Sequence, residues 1–215
     1  MQTVFYSWQT DCPNSTNRGF IEDCLERAIK ELSAQGSLQV EAAIDRDTWD
    51  VPGSPNIAET IFDKIDNCGM FLADVSFING AESPSDSRCE CTRLTPNPNV
   101  LIECGYAVKA ISFDRVVLVL NTATGPVEKL PFDLRGRRVL KYEMKKGDDK
   151  ADARRSLVSQ LKQSVQDIMK IRRTTFSLEF GDPQRHVPVG SEVTIAGTFT
   201  ELKGMKYEDI PDYGR

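Results

Sequence analysis

The chain has 215 residues, enough for one well-buried core and a small additional segment. Hydrophobic residues make up 40% and charged residues 27%, which is ordinary for a globular protein, and the net charge of -5 disfavours direct nucleic-acid binding. No apolar run approaches the ~20 residues that span a bilayer, and the first residues lack the features of a signal peptide. The composition predicts a cytoplasmic protein with no membrane partner.

The first 145 residues or so alternate strand-like and helix-like segments, which is typical of βαβ units. Strands are predicted at residues 4–8, 38–44, 70–75, 115–121 and 138–142. Helices are predicted at residues 20–32, 57–65, 97–111 and 151–171. The third and fourth strands are almost wholly apolar, as strands covered on both faces should be. The pattern predicts an α/β fold with a flavodoxin-like, parallel five-stranded sheet.

The last part of the chain differs in pattern from residues 1–172, which we expect to form the α/β domain. Residues 173–215 alternate apolar and polar positions between Pro/Gly turns, which predicts a small β-rich C-terminal segment. About forty residues bury little core, and unpaired strands with an apolar face need a cover. The segment is therefore predicted to dock on the main domain, on a second copy, or on a partner or sensor module.

Cysteine and histidine usage argues against a structural metal. In a reducing cytosol the six cysteines should be free thiols, and Cys24 and Cys104 lie in helical patterns where cysteine acts as a small apolar residue. Cys89 and Cys91 are the only close pair, and the sole histidine, His186, is far away in the sequence. We therefore expect no zinc site.

A long polar insert precedes the third helix. Residues 79–96 form a loop that is unusually long for a compact domain, and such loops are often functional. Asn97 followed by Pro98 is a strong helix start, with asparagine as the N-cap and proline at the first helical position.

Polar residues collect where ligands bind in an open parallel sheet, outside the carboxyl ends of the strands. The predicted strand ends carry Ser7, Trp8, Asp45, Arg46, Asp47, Asp74, Ser76 and Asn121. The third helix begins on the same side, and Asn99, Glu103 and Tyr106 share one of its faces. A carboxylate in an otherwise apolar helix is a candidate for a raised pKa and for glycosidic-bond chemistry, although glutamate on a surface helix is usually exposed to solvent.

Four segments together resemble a TIR domain of the kind found in bacterial anti-phage defence effectors. They are FYSW at 5–8, DRD at 45–47, PGSPNI at 52–57 and NPNVLIECGYA at 97–107. The resemblance covers residues 1–145 or so, and its most specific part is the helix that carries Glu103. The insert at 79–96 is not part of a minimal TIR pattern.

The resemblance implies an NAD glycohydrolase that is activated by assembly. NAD would be its substrate, no further cofactor or metal would be needed, and Glu103 would stabilise the oxocarbenium-like state as the nicotinamide–ribose bond breaks. The substrate-binding residues would be Ser7, Trp8, Arg46, Asp74, Ser76, Asn99 and Tyr106. The assembly loop would include Trp49, Pro52, Gly53 and Ser54. Trp8 would stack on a base or nicotinamide, or simply pack at the strand end, and Arg46 would reach phosphate or ribose, or pair with Asp45 or Asp47.

Two alternatives stay open. A similar helix, with glutamate before Gly-Tyr or Gly-Met, occurs in nucleoside deoxyribosyltransferases, so a nucleoside N-glycosidase or transferase is a second enzyme class. A non-catalytic TIR adaptor, in which Glu103 has no chemical role, is the third hypothesis. The sequence has no Walker A, GxGxxG or GxSxG motif, which disfavours P-loop hydrolysis, Rossmann-type redox chemistry and serine hydrolysis.

Overall fold

The computed structural model describes residues 2–35, 42–45, 57–80 and 93–169. Three predicted features lie outside the described residues: Arg46, the assembly loop at residues 49–56 and the C-terminal segment 173–215. Cys89, Cys91 and His186 lie outside them as well. What the sequence predicts for them stays a prediction.

The strands form one parallel sheet, and the predicted α/β class is confirmed. The strands are β1 (Gln2–Ser7), β2 (Ala42–Asp45), β3 (Met70–Asp74), β4 (Val116–Asn121) and β5 (Val139–Tyr142). Their order across the sheet is β2-β1-β3-β4-β5, and every neighbouring pair is parallel. This order is compatible with the flavodoxin-like arrangement.

The helices connect the strands, as parallel pairing requires. They are α1 (Arg18–Ala34), α2 (Ile57–Asn67), α3 (Pro98–Ile111), α4 (Phe132–Arg135) and α5 (Ala151–Met169), with short 3-10 turns at Phe113–Arg115 and Val127–Lys129. Helix α4 was not predicted, because four residues are too few to show a 3.6-residue period.

Side chains that alternate along the strands divide between two cores, one on each face of the sheet. Val4 and Leu72 face the core that contains the apolar stripes of α1 and α5. Phe5 and Phe71 face the core that contains Ile65 of α2 and the apolar stripe of α3, and their rings stack with centroids 5.8 Å apart. Both faces of β3 are therefore buried, which explains its continuous apolar sequence.

The start of α3 is fixed by the predicted cap. The side-chain Oδ1 of Asn97 accepts hydrogen bonds from the backbone N–H groups of Asn99 at 2.8 Å and Val100 at 3.3 Å. Pro98 occupies the first helical position, where no backbone N–H is needed. The cap sets the first turn of the helix, and hence the direction in which Glu103 projects one turn later.

The two ends of the 79–96 insert are held together. Phe77 and Pro96 form an isolated antiparallel bridge, and the Asn79 side chain donates to the Arg93 carbonyl and accepts from the Thr95 N–H, both at 2.9 Å. At Gly80 an added Cβ would lie 1.7 Å from the carbonyl oxygen of Thr124, so the close backbone approach there requires glycine. The described residues on the two sides of positions 81–92 are therefore held next to each other at one fixed place.

The predictions for two of the cysteines fall on described residues. Cys24 and Cys104 are free and buried in the two cores, as expected for small apolar residues. Within the described ranges there is no group of three metal-ligating side chains, and none of the described helices combines the length and apolar character needed to cross a bilayer.

Candidate functional site

The centre of the candidate site is a hydrogen bond between β1 and α3. Ser7, the last residue of β1, donates from Oγ to Oε2 of Glu103 at 2.6 Å, across 96 positions of sequence. This distance is typical of an O–H···O⁻ bond to an ionised carboxylate. The fold therefore places Glu103 against the carboxyl edge of the sheet, and not on a solvent-facing side of its helix.

The environment of Glu103 perturbs its ionisation. Burial raises the pKa of the Glu103 carboxyl above its ordinary value, and the hydrogen bond from Ser7 opposes that rise by stabilising the charged form. A half-buried carboxylate with a perturbed pKa in a concave site is a candidate for a functional group. The serine supplies a fixed orientation and helps to keep the carboxylate ionised.

Glu103 lines a cavity of about 220 Å³. Its walls come from the end of β1 and the loop after it, from α2, and from the capped start of α3: Phe5, Tyr6, Ser7, Trp8, Gln9, Thr10, Ile61, Asn97, Asn99 and Glu103. Glu103 is the one charged side chain among these described walls. Trp8 is the one partly exposed aromatic side chain among these walls, because Phe5 and Tyr6 are buried in the two cores. One accessible aromatic ring with a few polar groups and a single carboxylate suits a ring-bearing ligand whose reacting atom develops positive charge.

The loop after β1 is tied to the start of α3 at the side of this cavity. Asn97, whose Oδ1 caps α3, donates from Nδ2 to Oδ2 of Asp11 at 2.7 Å. The loop also carries Trp8, Gln9 and Thr10, so this bond connects two walls of the cavity.

The sequence left two roles for Trp8, stacking on a ligand or packing at the strand end, and its position is compatible with both. It lines the cavity, and it also packs against the core beneath α1 and α5. The guanidinium carbon of Arg18 lies 3.3 Å from the centroid of its ring. Sequence reasoning did not select Arg18. The available signal was its position at the start of the helix that follows a predicted strand end.

Asp74 and Ser76 are fully buried and are not among the described walls of the cavity. The Asp74 carboxylate accepts from Nδ2 of Asn17 at 3.1 Å, from Nε2 of Gln9 at 3.3 Å and from the Ser76 N–H at 3.1 Å. Burial raises the pKa of Asp74, and these hydrogen bonds oppose the rise. The structure thus places Asp74 beneath the loop that forms the cavity wall.

Asn99 and Tyr106, which the sequence places on one helical face with Glu103, separate in the structure. Asn99 lines the cavity. Tyr106 contacts α2 instead, where its hydroxyl donates to Oδ2 of Asp66 at 2.8 Å and its ring stacks on Phe62 with centroids 4.3 Å apart. In the described residues, Tyr106 joins two helices and does not line the cavity with Glu103.

A larger groove of about 730 Å³ lies between α3 and α4. Apolar residues such as Leu101, Phe113 and Phe132 make up most of its lining, and its charged residues are Asp133 and Arg137. No hydrogen-bonded, half-buried carboxylate is among its described walls. On chemical grounds the smaller cavity around Glu103 is the better candidate.

Comparisons with known proteins leave the family open. No protein-family model matches the chain, and no curated protein matches it. Among solved structures, one similar chain is a 2-desoxiribosyltransferase from Leishmania mexicana, 17% identical, with a TM-score of 0.32. The similarity covers 56% of this chain and 65% of that one, so the matched region spans less than two thirds of that enzyme.

A similarity this distant carries no argument about the activity of this chain. The neighbour belongs to the second enzyme class that the glutamate helix resembles in sequence. The resemblance to TIR domains rests on the four sequence segments and stays a prediction.

Proposed function

We propose that the protein cleaves the N-glycosidic bond of a nucleoside-type or nucleotide-type substrate, with Glu103 acting at the anomeric carbon. The observation that carries the proposal is the 2.6 Å hydrogen bond from Ser7 to Glu103 inside a cavity that Trp8 also lines. A fully solvent-exposed glutamate would have neither the burial nor the fixed partner.

The chemistry follows from charge. As the bond from the anomeric carbon to the base breaks, the ribose gains positive charge in an oxocarbenium-like state. An oriented carboxylate in a partly desolvated site stabilises that charge, or attacks the carbon to form a glycosyl–enzyme bond that water or a second base then breaks. In both cases the bonding electrons leave with the base, and Glu103 must be ionised at the start.

Two substrate classes fit this chemistry. NAD is implied by the resemblance of the four segments to TIR domains, and a deoxynucleoside by the resemblance of the glutamate helix to nucleoside deoxyribosyltransferases. The described walls enclose about 220 Å³, whereas pockets that enclose a drug-sized ligand hold about 300–1,000 Å³. These walls therefore suit one ribose and the atoms near its anomeric carbon, and the rest of a larger substrate would extend past them.

Assembly and biological role are further parts of the proposal. We expect self-association through residues 49–56 to activate cleavage, in a defence response to phage, because both properties accompany the sequence resemblance. One feature of the described chain supports an interface nearby: Ile57, the first residue of α2 and directly after this loop, is 60% exposed.

A substrate panel tests the proposed activity. Purified protein is incubated with NAD, or with a deoxynucleoside with and without a second free base, and the products are separated by chromatography. We expect release of nicotinamide, or of the nucleoside's base. No product from any substrate, even after forced assembly of the protein, would contradict the proposed activity and favour an adaptor that acts by assembly.

Ser7→Ala is expected to move the acid limb of the kcat/KM profile to higher pH by about 0.5–1 unit. The Ser7 hydroxyl stabilises the ionised form of Glu103, and a hydrogen bond worth about 1 kcal/mol corresponds to about 0.7 of a pKa unit. Without it the pKa of Glu103 rises further, so the ionised enzyme is lost at a higher pH. The pH–rate profile is measured beside Ser159→Ala, an exposed serine in α5. An acid limb that stays in place or moves to lower pH would contradict this role of Ser7.

A further inference from the structure

We infer that Arg18 binds the 5′-phosphate of the substrate, so that the site takes nucleotides in preference to free nucleosides. The inference rests on the proposed N-glycosidic activity and narrows its substrate class. Mononucleotides and dinucleotides such as NAD share this phosphate, and the experiment below separates them.

The position of Arg18 brings a cation to the candidate site. Arg18 is the first residue of α1, which follows β1 and therefore begins at the carboxyl edge of the sheet. Its guanidinium carbon lies 3.3 Å from the centroid of the Trp8 ring, and Trp8 lines the same cavity as Glu103. Arg18 thus contacts Trp8, a residue of the cavity wall, but is not itself among the residues that line the cavity.

The N–H groups of the Arg18 guanidinium are available to donate hydrogen bonds to a ligand. Within the described ranges it makes no hydrogen bond and no ion pair, whereas Arg27 and Arg154 both pair with Asp23. Stacking on an indole uses the face of the guanidinium and leaves the N–H groups at its edge available. A planar fork held in one orientation by an aromatic ring is well suited to two parallel hydrogen bonds with a phosphate.

The charge of the cavity also favours a nearby cation if the substrate is an anion. Glu103 is the one charged group among the described walls of the cavity, and an ionised glutamate repels an anionic substrate. A positive charge beside Trp8 offsets that repulsion. Arg18 gains nothing from its own helix, because a cation at a helix N-terminus opposes the helix dipole.

The shape of a nucleotide matches this division of roles. The glycosidic bond and the 5′-phosphate leave the ribose ring from different carbons, so a site that holds the anomeric carbon at Glu103 needs its anion-binding group on another wall. Glu103 projects from α3, and the Trp8–Arg18 pair lies at the junction of β1 and α1. The competing explanation is that Arg18 only packs on Trp8 and supports the wall mechanically.

Kinetics on matched substrates separate the two explanations. Nicotinamide riboside, nicotinamide mononucleotide and NAD are compared, together with a deoxynucleoside and its 5′-monophosphate. Arg18→Gln is expected to lower kcat/KM for the phosphorylated substrates by on the order of 10–100-fold, mainly through KM, because a charge-assisted bidentate contact is lost. The unphosphorylated substrates should change by less than about twofold, and Arg18→Lys should recover part of the loss.

The matched control is Arg137→Gln. Arg137 also stacks on an aromatic ring, Phe113, with its guanidinium carbon 3.7 Å from the ring centroid, but it lines the groove between α3 and α4. This variant should leave all the kinetic constants unchanged. An equal loss for phosphorylated and unphosphorylated substrates in Arg18→Gln would show a packing role and overturn the inference.

Binding measurements keep the inference separate from the proposed activity. In the Glu103→Gln protein, calorimetry should show tighter binding of nicotinamide mononucleotide than of nicotinamide riboside, and adding Arg18→Gln should remove the difference. Wild-type protein that cleaves nothing but shows this binding difference would overturn the proposed activity and support Arg18. Equal binding of the two ligands, or binding of neither, would overturn the inference about Arg18.

Discussion

Replacing Glu103 with glutamine is expected to lower turnover by on the order of 10²–10³-fold, the usual cost of removing one group that stabilises transition-state charge. Glutamine keeps the size of the side chain and an oxygen that can accept from Ser7, so the contact between β1 and α3 survives while the negative charge is lost. We expect the loss to be mainly in kcat, because the carboxylate acts on charge that develops only as the bond breaks.

The control for this variant is Glu26→Gln, which alters an exposed glutamate in α1. Turnover should then stay at the wild-type level. Circular dichroism and thermal unfolding establish that both variants are folded. A folded Glu103→Gln protein with wild-type turnover would remove Glu103 from the mechanism and leave the cavity without its reacting group.

Asp74→Ala is expected to lower the free energy of unfolding by about 2–4 kcal/mol, because it leaves buried donors without an acceptor. The Asn17 and Gln9 amides and the Ser76 N–H all donate to this carboxylate. Gln9 also accepts from the Cys12 N–H at 2.8 Å, so the loop that carries Trp8 and Thr10 should loosen as well. Urea unfolding measures the change.

The matched change is Asp133→Ala at the exposed carboxylate of α4, which should alter the free energy of unfolding by no more than about 0.5 kcal/mol. The two interpretations of Asp74 give different results. If Asp74 binds substrate, as its strand-end position predicts, Asp74→Ala will keep near-normal stability and raise KM. That outcome would contradict the buried supporting role that its hydrogen bonds indicate.

The regular elements were predictable because each leaves a local signature. The adjacent residues Asn97 and Pro98 predict the start of α3, and the structure confirms the cap. The continuous apolar sequence of β3 follows from burial on both faces. Both signatures lie within a few adjacent residues, although the burial of β3 itself is made by distant parts of the chain.

The site was predictable in part. Strand ends and helix starts are shared by all parallel sheets, so Ser7 and Glu103 were placed at one edge, and the structure brings them into contact. Helical spacing could not predict that Tyr106 contacts α2, because this contact depends on Phe62 and Asp66, forty or more positions away.

The role of a polar residue at a strand end is also not predictable from its position. Such a residue can bind a ligand or hold a loop, and the structure buries Asp74 completely. The one sequence signal for Arg18 is its position at the start of the helix after β1, and only the contact with Trp8 distinguishes it from its neighbours there.

The closed base of the 79–96 insert bears on how this protein can change. Bridge and side-chain bonds join its two ends before α3 begins, so the start of α3 is positioned by contacts that lie outside positions 81–92. The free energy of closing a flexible loop grows only with the logarithm of its length, so we expect changes in the length of the predicted loop to cost little while the capped helix and its glutamate keep their position. Evolution, or an engineer adding a reporter or a binding peptide, can therefore vary this loop while the geometry around Glu103 is inherited unaltered.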